Sequence, residues 1–203
     1  LEQGDVRMCL RVEHAAGESR FVQDFIVYRD LPRVDVDVTV DFHEVEKTIR
    51  LAFPANAGPE ARWVSSIPCG AIEREPDGRE YPMQNWTALC DDTSGIAVLN
   101  NGRYGVSAQD GVLRMTVIRN ATYPDVRSDH GRHSFRYAVV PVRAETLASA
   151  ATEAAALNRP LQGHYLHDAP VAAEGVLLGL RTSDNVELSA AKVSEDGGAL
   201  VVR

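Results

Sequence analysis

Arg33-Val34-Asp35-Val36-Asp37-Val38-Thr39-Val40-Asp41-Phe42-His43 alternates apolar and polar residues without a break. Successive side chains on a β-strand point to opposite faces, so Val34, Val36, Val38, Val40 and Phe42 share one side and the charged residues share the other. The spacing predicts a half-buried antiparallel strand. Alternation resumes at Val45, Lys47, Ile49, Leu51 and Phe53 and stops at Pro54, which has no N–H to give to a ladder; the two runs are expected to pair. Upstream, residues 6–12 and 21–28 flank a polar connector containing Gly17 and read as a hairpin. Downstream, Ile96-Ala97-Val98-Leu99 runs into Asn100-Asn101-Gly102, and Asn-Gly is the strongest short hairpin signal because both residues accept positive φ. Residues 104–108, the turn Gln109-Asp110-Gly111 and the alternating Leu113, Met115 and Val117 extend a meander, and residues 135–140 add a strand ended by Pro141.

One segment is helical in character, residues 144–157, alanine-rich and stopped by Asn158-Arg159-Pro160. Residues 171–180, 186–192 and 200–203 return to strand composition around turns at 182–185 and 196–198. Many short strands with turn residues between them give an all-β fold, an antiparallel β-sandwich with one short helix. The expected division is a main sandwich over residues 1–168 and the start of a further small β segment over 169–203. Leu1 in place of a start methionine, and an end in mid-strand at Arg203, suggest an excerpt from a longer polypeptide.

The chain has 203 residues, 44% of them apolar, and its 21 Lys+Arg against 29 Asp+Glu give a net charge of −8. A chain of this length buries enough surface to fold without disulfides or a structural metal. The acidic balance, with no basic run, argues against nucleic acid and anionic membrane surfaces as partners. No stretch approaches 18 consecutive apolar residues, and residues 1–5 lack the basic start of a signal peptide; a soluble chain is the expectation. Cys9, Cys69 and Cys90 are odd in number and without metal-ligand spacing, which favours reduced, buried thiols.

His130-Gly131-Arg132-His133, close to Asp125 and Asp129, invites a metal reading, but a lone His-x-x-His is weak evidence and an ordinary hydrogen-bonded loop is the simpler reading. Asp91-Asp92 with Asp125 and Asp129 could supply paired carboxylates, although aspartates before Gly, Ser or Thr usually cap turns. Neither a phosphate cradle nor a Gly-x-Ser-x-Gly elbow is present, and neither Cys69 nor Cys90 has a partner nearby in sequence. Trp63, Trp86, Tyr81, Tyr104, Tyr123 and Tyr137 are candidates for a sugar-stacking platform, with core packing as the commoner use of strand aromatics.

In order along the chain stand Gly70-Ala71-Ile72-Glu73-Arg74, Glu80-Tyr81-Pro82-Met83-Gln84-Asn85-Trp86 and the run from Ser94 to Gly105. After them come Leu113-Arg114-Met115-Thr116-Val117-Ile118-Arg119, Pro124-Asp125, an Asp129-x-Gly131-x-His133 pattern and Leu157-Asn158-Arg159-Pro160. With Phe42-His43-Glu44 and Leu51-Ala52-Phe53-Pro54 upstream, this order resembles the C-terminal β-sandwich region of the retaining α-mannosidases of glycoside hydrolase family 38 over most of residues 20–165. The Asp-x-Gly-x-His form is similar to that of the bacterial, vacuolar and cytosolic branch.

The resemblance implies a galactose-mutarotase-like supersandwich and, in the full-length protein, hydrolysis of terminal α-D-mannosides through two carboxylates, aided by zinc. Those carboxylates and the zinc belong to an N-terminal catalytic domain, and no residue here matches its zinc-binding His-x-Asp or its nucleophile. The chain alone is therefore expected to be inactive, without catalytic residues, cofactor or metal of its own. Its implied partners are the catalytic domain of the same polypeptide and an α-mannoside, in a cytoplasmic enzyme that forms homo-oligomers. Asp129, Gly131 and His133, supported by Arg119 and Asp125, are the expected pocket-closing loop. An autonomous carbohydrate-binding module using exposed Trp63 or Trp86 is the rival reading, and a self-contained hydrolase using Asp91, Asp129 and His133 a third. An excised interface predicts an exposed apolar patch.

Overall fold

Residues 1–161 and 188–203 are described by the structure, a computed structural model. In chain order the strands are β1 Glu2–Gln3, β2 Arg7–Ala16, β3 Ser19–Tyr28, β4 Val34–Phe42, β5 Thr48–Pro54, β6 Arg62–Ile67, β7 Gly70–Arg74 and β8 Tyr81–Pro82. There follow β9 Trp86–Cys90, β10 Gly95–Asn100, β11 Gly105–Gln109, β12 Val112–Arg119, β13 Gly131–Pro141, the helix α1 Ser149–Asn158, β14 Ala191–Val193 and β15 Leu200–Val202. The chain divides into two units, Leu1–Leu161 and Gln162–Arg203.

In the first unit, a nine-stranded antiparallel sheet in the order β1-β2-β3-β4-β13-β10-β9-β6-β7 faces a four-stranded one in the order β5-β12-β11-β8. The apolar side of β4 supplies the interior between them. Val36, Val38, Val40 and Phe42 pack with Trp63, Leu89 and Val98 of the large sheet and with Val106, Leu113 and Met115 of the small one. Phe53 of β5 lies edge-on to Tyr137 of β13, with ring centroids 5.4 Å apart, and Tyr81 of β8 lies edge-on to Trp63 of β6 at 5.7 Å. The small sheet is thereby aligned along the large one from β13 to β6. Stacked aromatic edges of this kind add specificity to plain area burial.

On the other side of the large sheet the helix covers β9, β10 and β13, and of the polar residues of β4 only Asp35 is buried. Ala150, Ala154 and Leu157 of α1 pack on Ala88, Cys90, Ala97, Leu99, Ala138 and Val140, small residues on both sides allowing close approach. Asp35, 3% exposed, is bound by Arg33 through Nε at 2.7 Å, and Arg33 reaches Glu153 of α1 at 2.8 Å. Burial opposes the Arg33 charge, and the two carboxylates outweigh it.

The sandwich and the one α-helix among the described residues match the sequence reading, while two pairings differ. The runs ending at His43 and Pro54 do not pair: β4 has both edges filled by β3 and β13, and residues 43–47 carry the chain to the other sheet, where β5 pairs with β12. Asn100-Asn101-Gly102 is likewise a crossing between sheets, since β10 pairs with β9 and β13 and β11 with β12 and β8. Asn100 holds that crossing, its Nδ2 donating to Gln84 O at 2.7 Å and its Oδ1 accepting from Arg103 N at 2.9 Å. The hairpins β2–β3 and β11–β12 form as expected, each closed by a two-residue loop, although most of the polar connector expected in the first lies within its strands. In the second of these, Asp110 and Gly111 both take positive φ, 52° and 71°, as the right-handed strand twist demands of so short a loop.

In the second unit β14 pairs with β15. The strand expected over 171–180, the turn at 182–185 and the start of the 186–192 strand lie outside the described residues.

Candidate functional site

β12 ends at Arg119 and β13 begins at Gly131, so the segment expected to approach a sugar is the connection between two strands in different sheets. Its first residue, Asn120, is 4% exposed and ties the loop to the β4–β5 crossing, its backbone N–H donating to Lys47 O at 3.1 Å and its Nδ2 to Glu44 O at 3.0 Å. Asp125 caps a turn: its Oδ1 accepts from Arg127 N at 2.9 Å and its carbonyl from Ser128 N at 3.4 Å. Ser128 Oγ then donates to Ala121 O at 3.0 Å, which closes the loop on itself. These bonds answer the backbone polar groups that a loop must otherwise leave to water.

At the far end, Gly131 has φ 110° with open space where a Cβ would stand, a conformation closed to L side chains by the backbone alone. It pairs with Phe42 and aligns His133 with Val40, so His133 belongs to β13 and shares the side of β4 that faces the interior. The loop expected through residue 133 therefore ends two residues earlier, in a strand. His133 Nε2 donates to Asp129 O at 2.8 Å, which fixes the ring and leaves Nδ1 as its remaining polar atom.

Three more residues complete the surroundings, of which the sequence reading had singled out only His130. The Arg103 guanidinium stacks on Phe135 at 4.6 Å, its Nε is buried without a hydrogen bond, and burial lowers its pKa against the pull of the Asp129 carboxylate. His130 sits edge-on to His43 with ring centroids 6.3 Å apart, and its Nε2 is buried without a partner. The third is Asn120, whose Oδ1 is also unpartnered. Buried polar atoms left open are few in native structures, and three of them cluster in or beside this segment. The structure thus brings Asp129, Gly131 and His133 together. Arg119, exposed and opposite Thr48, has no ion pair among the described residues, and the Asp125 carboxylate is occupied by its turn.

The other candidates resolve into structure. Asp91 accepts from the Thr93 hydroxyl and from the N–H groups of Gly58, Ser94 and Thr93, which hold its carboxyl well below the usual carboxylate range; it is a turn cap. Trp63 and Trp86 are buried, Trp63 donating its indole N–H to Thr87 Oγ1 at 2.8 Å, so neither is a surface platform for a sugar ring. Of the aromatics named, Tyr104 and Tyr123 are exposed. Cys90 is buried, with burial pushing its thiol up, whereas Cys69 is exposed and Cys9 half-buried, so the expectation of buried thiols holds for Cys90 alone. Among the described residues no three His, Cys, Asp or Glu side chains come together to hold a metal ion.

The family description "Glycosyl hydrolases family 38 C-terminal domain" matches residues 1–127, ending just before Asp129. Alpha-mannosidase 2C1 of Mus musculus is 31% identical over 153 residues, covering 70% of this chain and 14% of the relative. Alpha-mannosidase G of Dictyostelium discoideum is 28% identical over 227 aligned positions, covering 100% of this chain and 20% of the relative. The crystal structure of an alpha-mannosidase from Enterococcus faecalis V583 superposes with a TM-score of 0.73 at 16% identity, over 91% of this chain and 23% of that one, a likeness of fold. The chain spans between 14% and 20% of the length of these curated relatives.

Proposed function

The chain belongs to the glycosyl hydrolase family 38 C-terminal domains, and on that premise we propose that it is the non-catalytic β-sandwich part of a retaining α-mannosidase. The observation that carries this reading is the family match over residues 1–127, supported by the two-layer sandwich. In this reading the two carboxylates of the retaining reaction, and the zinc that holds sugar hydroxyls, stand in the rest of the polypeptide. The sandwich contributes a rigid wall. Gly131 turns the backbone into β13, Asp129 presents a carboxylate beside the Arg103 cation, and His133, oriented by the Asp129 carbonyl, offers Nδ1 as an acceptor. Those groups suit sugar hydroxyls or the backbone of a neighbouring loop. Arg119, without an ion pair among the described residues, stands at the start of the same connection, and Asp125 keeps the loop in shape.

The same reading makes the complete enzyme a homo-oligomer of the cytoplasm. Three unpaired thiols accord with a reducing compartment, and no helix among the described residues is long and apolar enough to cross a membrane. The test is hydrolysis of an aryl α-mannoside by the complete polypeptide. Turnover with retention of configuration is expected, with D129N and H133Q lowering kcat/KM about tenfold or more at unchanged Tm. A complete polypeptide that releases no aryl alcohol overturns the reading, and variants with full activity limit the 119–133 segment to bracing.

A further inference from the structure

Between the end of β6 and the stretch from β8 to β9 lies a groove of about 620 Å³, a size usual for small-molecule sites. Ile67, Pro68 and Pro82 give it an apolar lining, Gln84 and Asn85 add two amides, and Tyr104, 57% exposed, adds an aromatic ring. None of the described residues that line it is charged, although 25% of the chain is. The backbone of this rim is fixed. Met83 N donates to Tyr104 O at 2.8 Å and Gln84 N to Ser66 O at 2.9 Å, while Ser66 Oγ accepts from Asn85 N at 2.9 Å and from Trp86 N at 3.0 Å. Asn100 donates its Nδ2 to Gln84 O at 2.7 Å and its N–H to Asn85 O at 2.9 Å. All of these bonds use main-chain atoms of residues 83–86. The side-chain amides of Gln84 and Asn85 are exposed and make no hydrogen bond among the described residues. A rim whose main chain is held and whose amides are uncommitted is preorganised for a ligand.

Such a lining suits a neutral ligand with an apolar face and hydroxyls along its edge, which is the chemistry of a pyranose. The C–H face of the sugar lies on an aromatic ring, and each amide offers it one carbonyl acceptor and two N–H donors. A charged ligand would find no countercharge in the groove. The groove also stands at the same end of the sandwich as the Asp129 segment. β4 ends and β13 begins at the pair Phe42–Gly131, Asn100 of β10 lies opposite Tyr137, and Leu99 lies opposite Trp86, so the connections 43–47, 83–85, 101–104 and 120–130 leave the sheets together. Within the 101–104 crossing, Arg103 is turned to Phe135 and the Asp129 carboxylate, while the next residue, Tyr104, lines the groove. We propose that the groove is a subsite for a second pyranose of the α-mannoside, stacked on Tyr104 and held through its hydroxyls by Gln84 and Asn85. This rests on the mannosidase reading above and names a part of the substrate. Hydrolysis at a terminal mannose makes the second ring the leaving group, so the groove sets the preference for a sugar over other leaving groups.

The test is the ratio of kcat/KM for an α-linked mannobiose to that for α-mannosyl fluoride, whose single-atom leaving group cannot reach the groove, in the complete polypeptide. Tyr104→Ala is expected to lower that ratio at least about fivefold, and Tyr104→Phe, which keeps the ring, to restore most of it. A ratio that Tyr104→Ala leaves unchanged overturns the proposal, and a fall shared equally by both substrates does so too, because a merely structural role would act on both. Hydrogen exchange of the complete polypeptide with α-mannobiose in excess reads the groove without turnover. Slower exchange in the peptides carrying residues 83–86 and 103–106, lost in Tyr104→Ala, is expected; exchange there that the sugar does not alter overturns the subsite. The two readings stay apart. Protection of these peptides without turnover of either substrate retains the sugar groove and removes the mannosidase, and turnover with an unchanged ratio and no protection does the reverse.

Discussion

β2 and β4 carry the same alternation of apolar and polar residues, yet the apolar side of β4 is closed in while β2 is open on both sides. The apolar row is the same in kind, Val36, Val38 and Val40 against Met8, Leu10 and Val12. What differs is the neighbour: β4 lies beneath the small sheet on one side and is tied to α1 at its start through Arg33 and Glu153, while β2 lies past the edge of the small sheet. Periodicity therefore states which residues are made for burial, and topology states which of them this chain can bury by itself.

The contrast breaks first at its covered end. Phe42→Ala is expected to cost about 3–5 kcal/mol in urea unfolding of the chain, because Phe42 has no exposed surface and the pocket it leaves is walled by both sheets. A cost under about 1 kcal/mol would mean that the sheets are not packed as described. Arg33→Ala follows at about 3 kcal/mol or more, since Asp35 would remain buried without its cation on the side of β4 that meets α1.

Asp91 gives a smaller effect with a defined pH sense. Its folded pKa lies below the unfolded value near 4, so its contribution is complete above about pH 4 and is lost as pH falls further. The Tm advantage of the wild type over Asp91→Asn, a few degrees near neutral pH, is expected to shrink in acid. An advantage that grows below pH ~4 would contradict the turn-cap role. At the open end, Leu10→Ala in the isolated chain should change stability by no more than about 0.5 kcal/mol, and a cost like that of Phe42 would show that β2 is already covered.

Strands and tight hairpins were legible because their chemistry is local. Period two marks β4, and Asp110-Gly111 permits the positive φ that a two-residue loop needs. Sheet membership was not legible, because a crossing between sheets uses the same residues as a hairpin. Asn100-Asn101-Gly102 supplies turn geometry in either case, and only Asn100 bonding to Gln84 O reveals which one it is. Within the candidate site, Gly131 announced itself by its need for positive φ, and the Asp129–His133 bond spans four residues. Arg103 and Asn120 were hidden, since their importance comes from burial against elements distant in sequence, Phe135 for one and the 43–47 crossing for the other.

The measurement that bears most directly on the account is aryl α-mannoside hydrolysis by the 203-residue chain and by the complete polypeptide, each with and without zinc. The account predicts turnover by the complete polypeptide alone, lost on zinc removal, and none by the chain in either condition. Turnover by the isolated chain would contradict it, since that would place a working set of catalytic groups within residues 1–203.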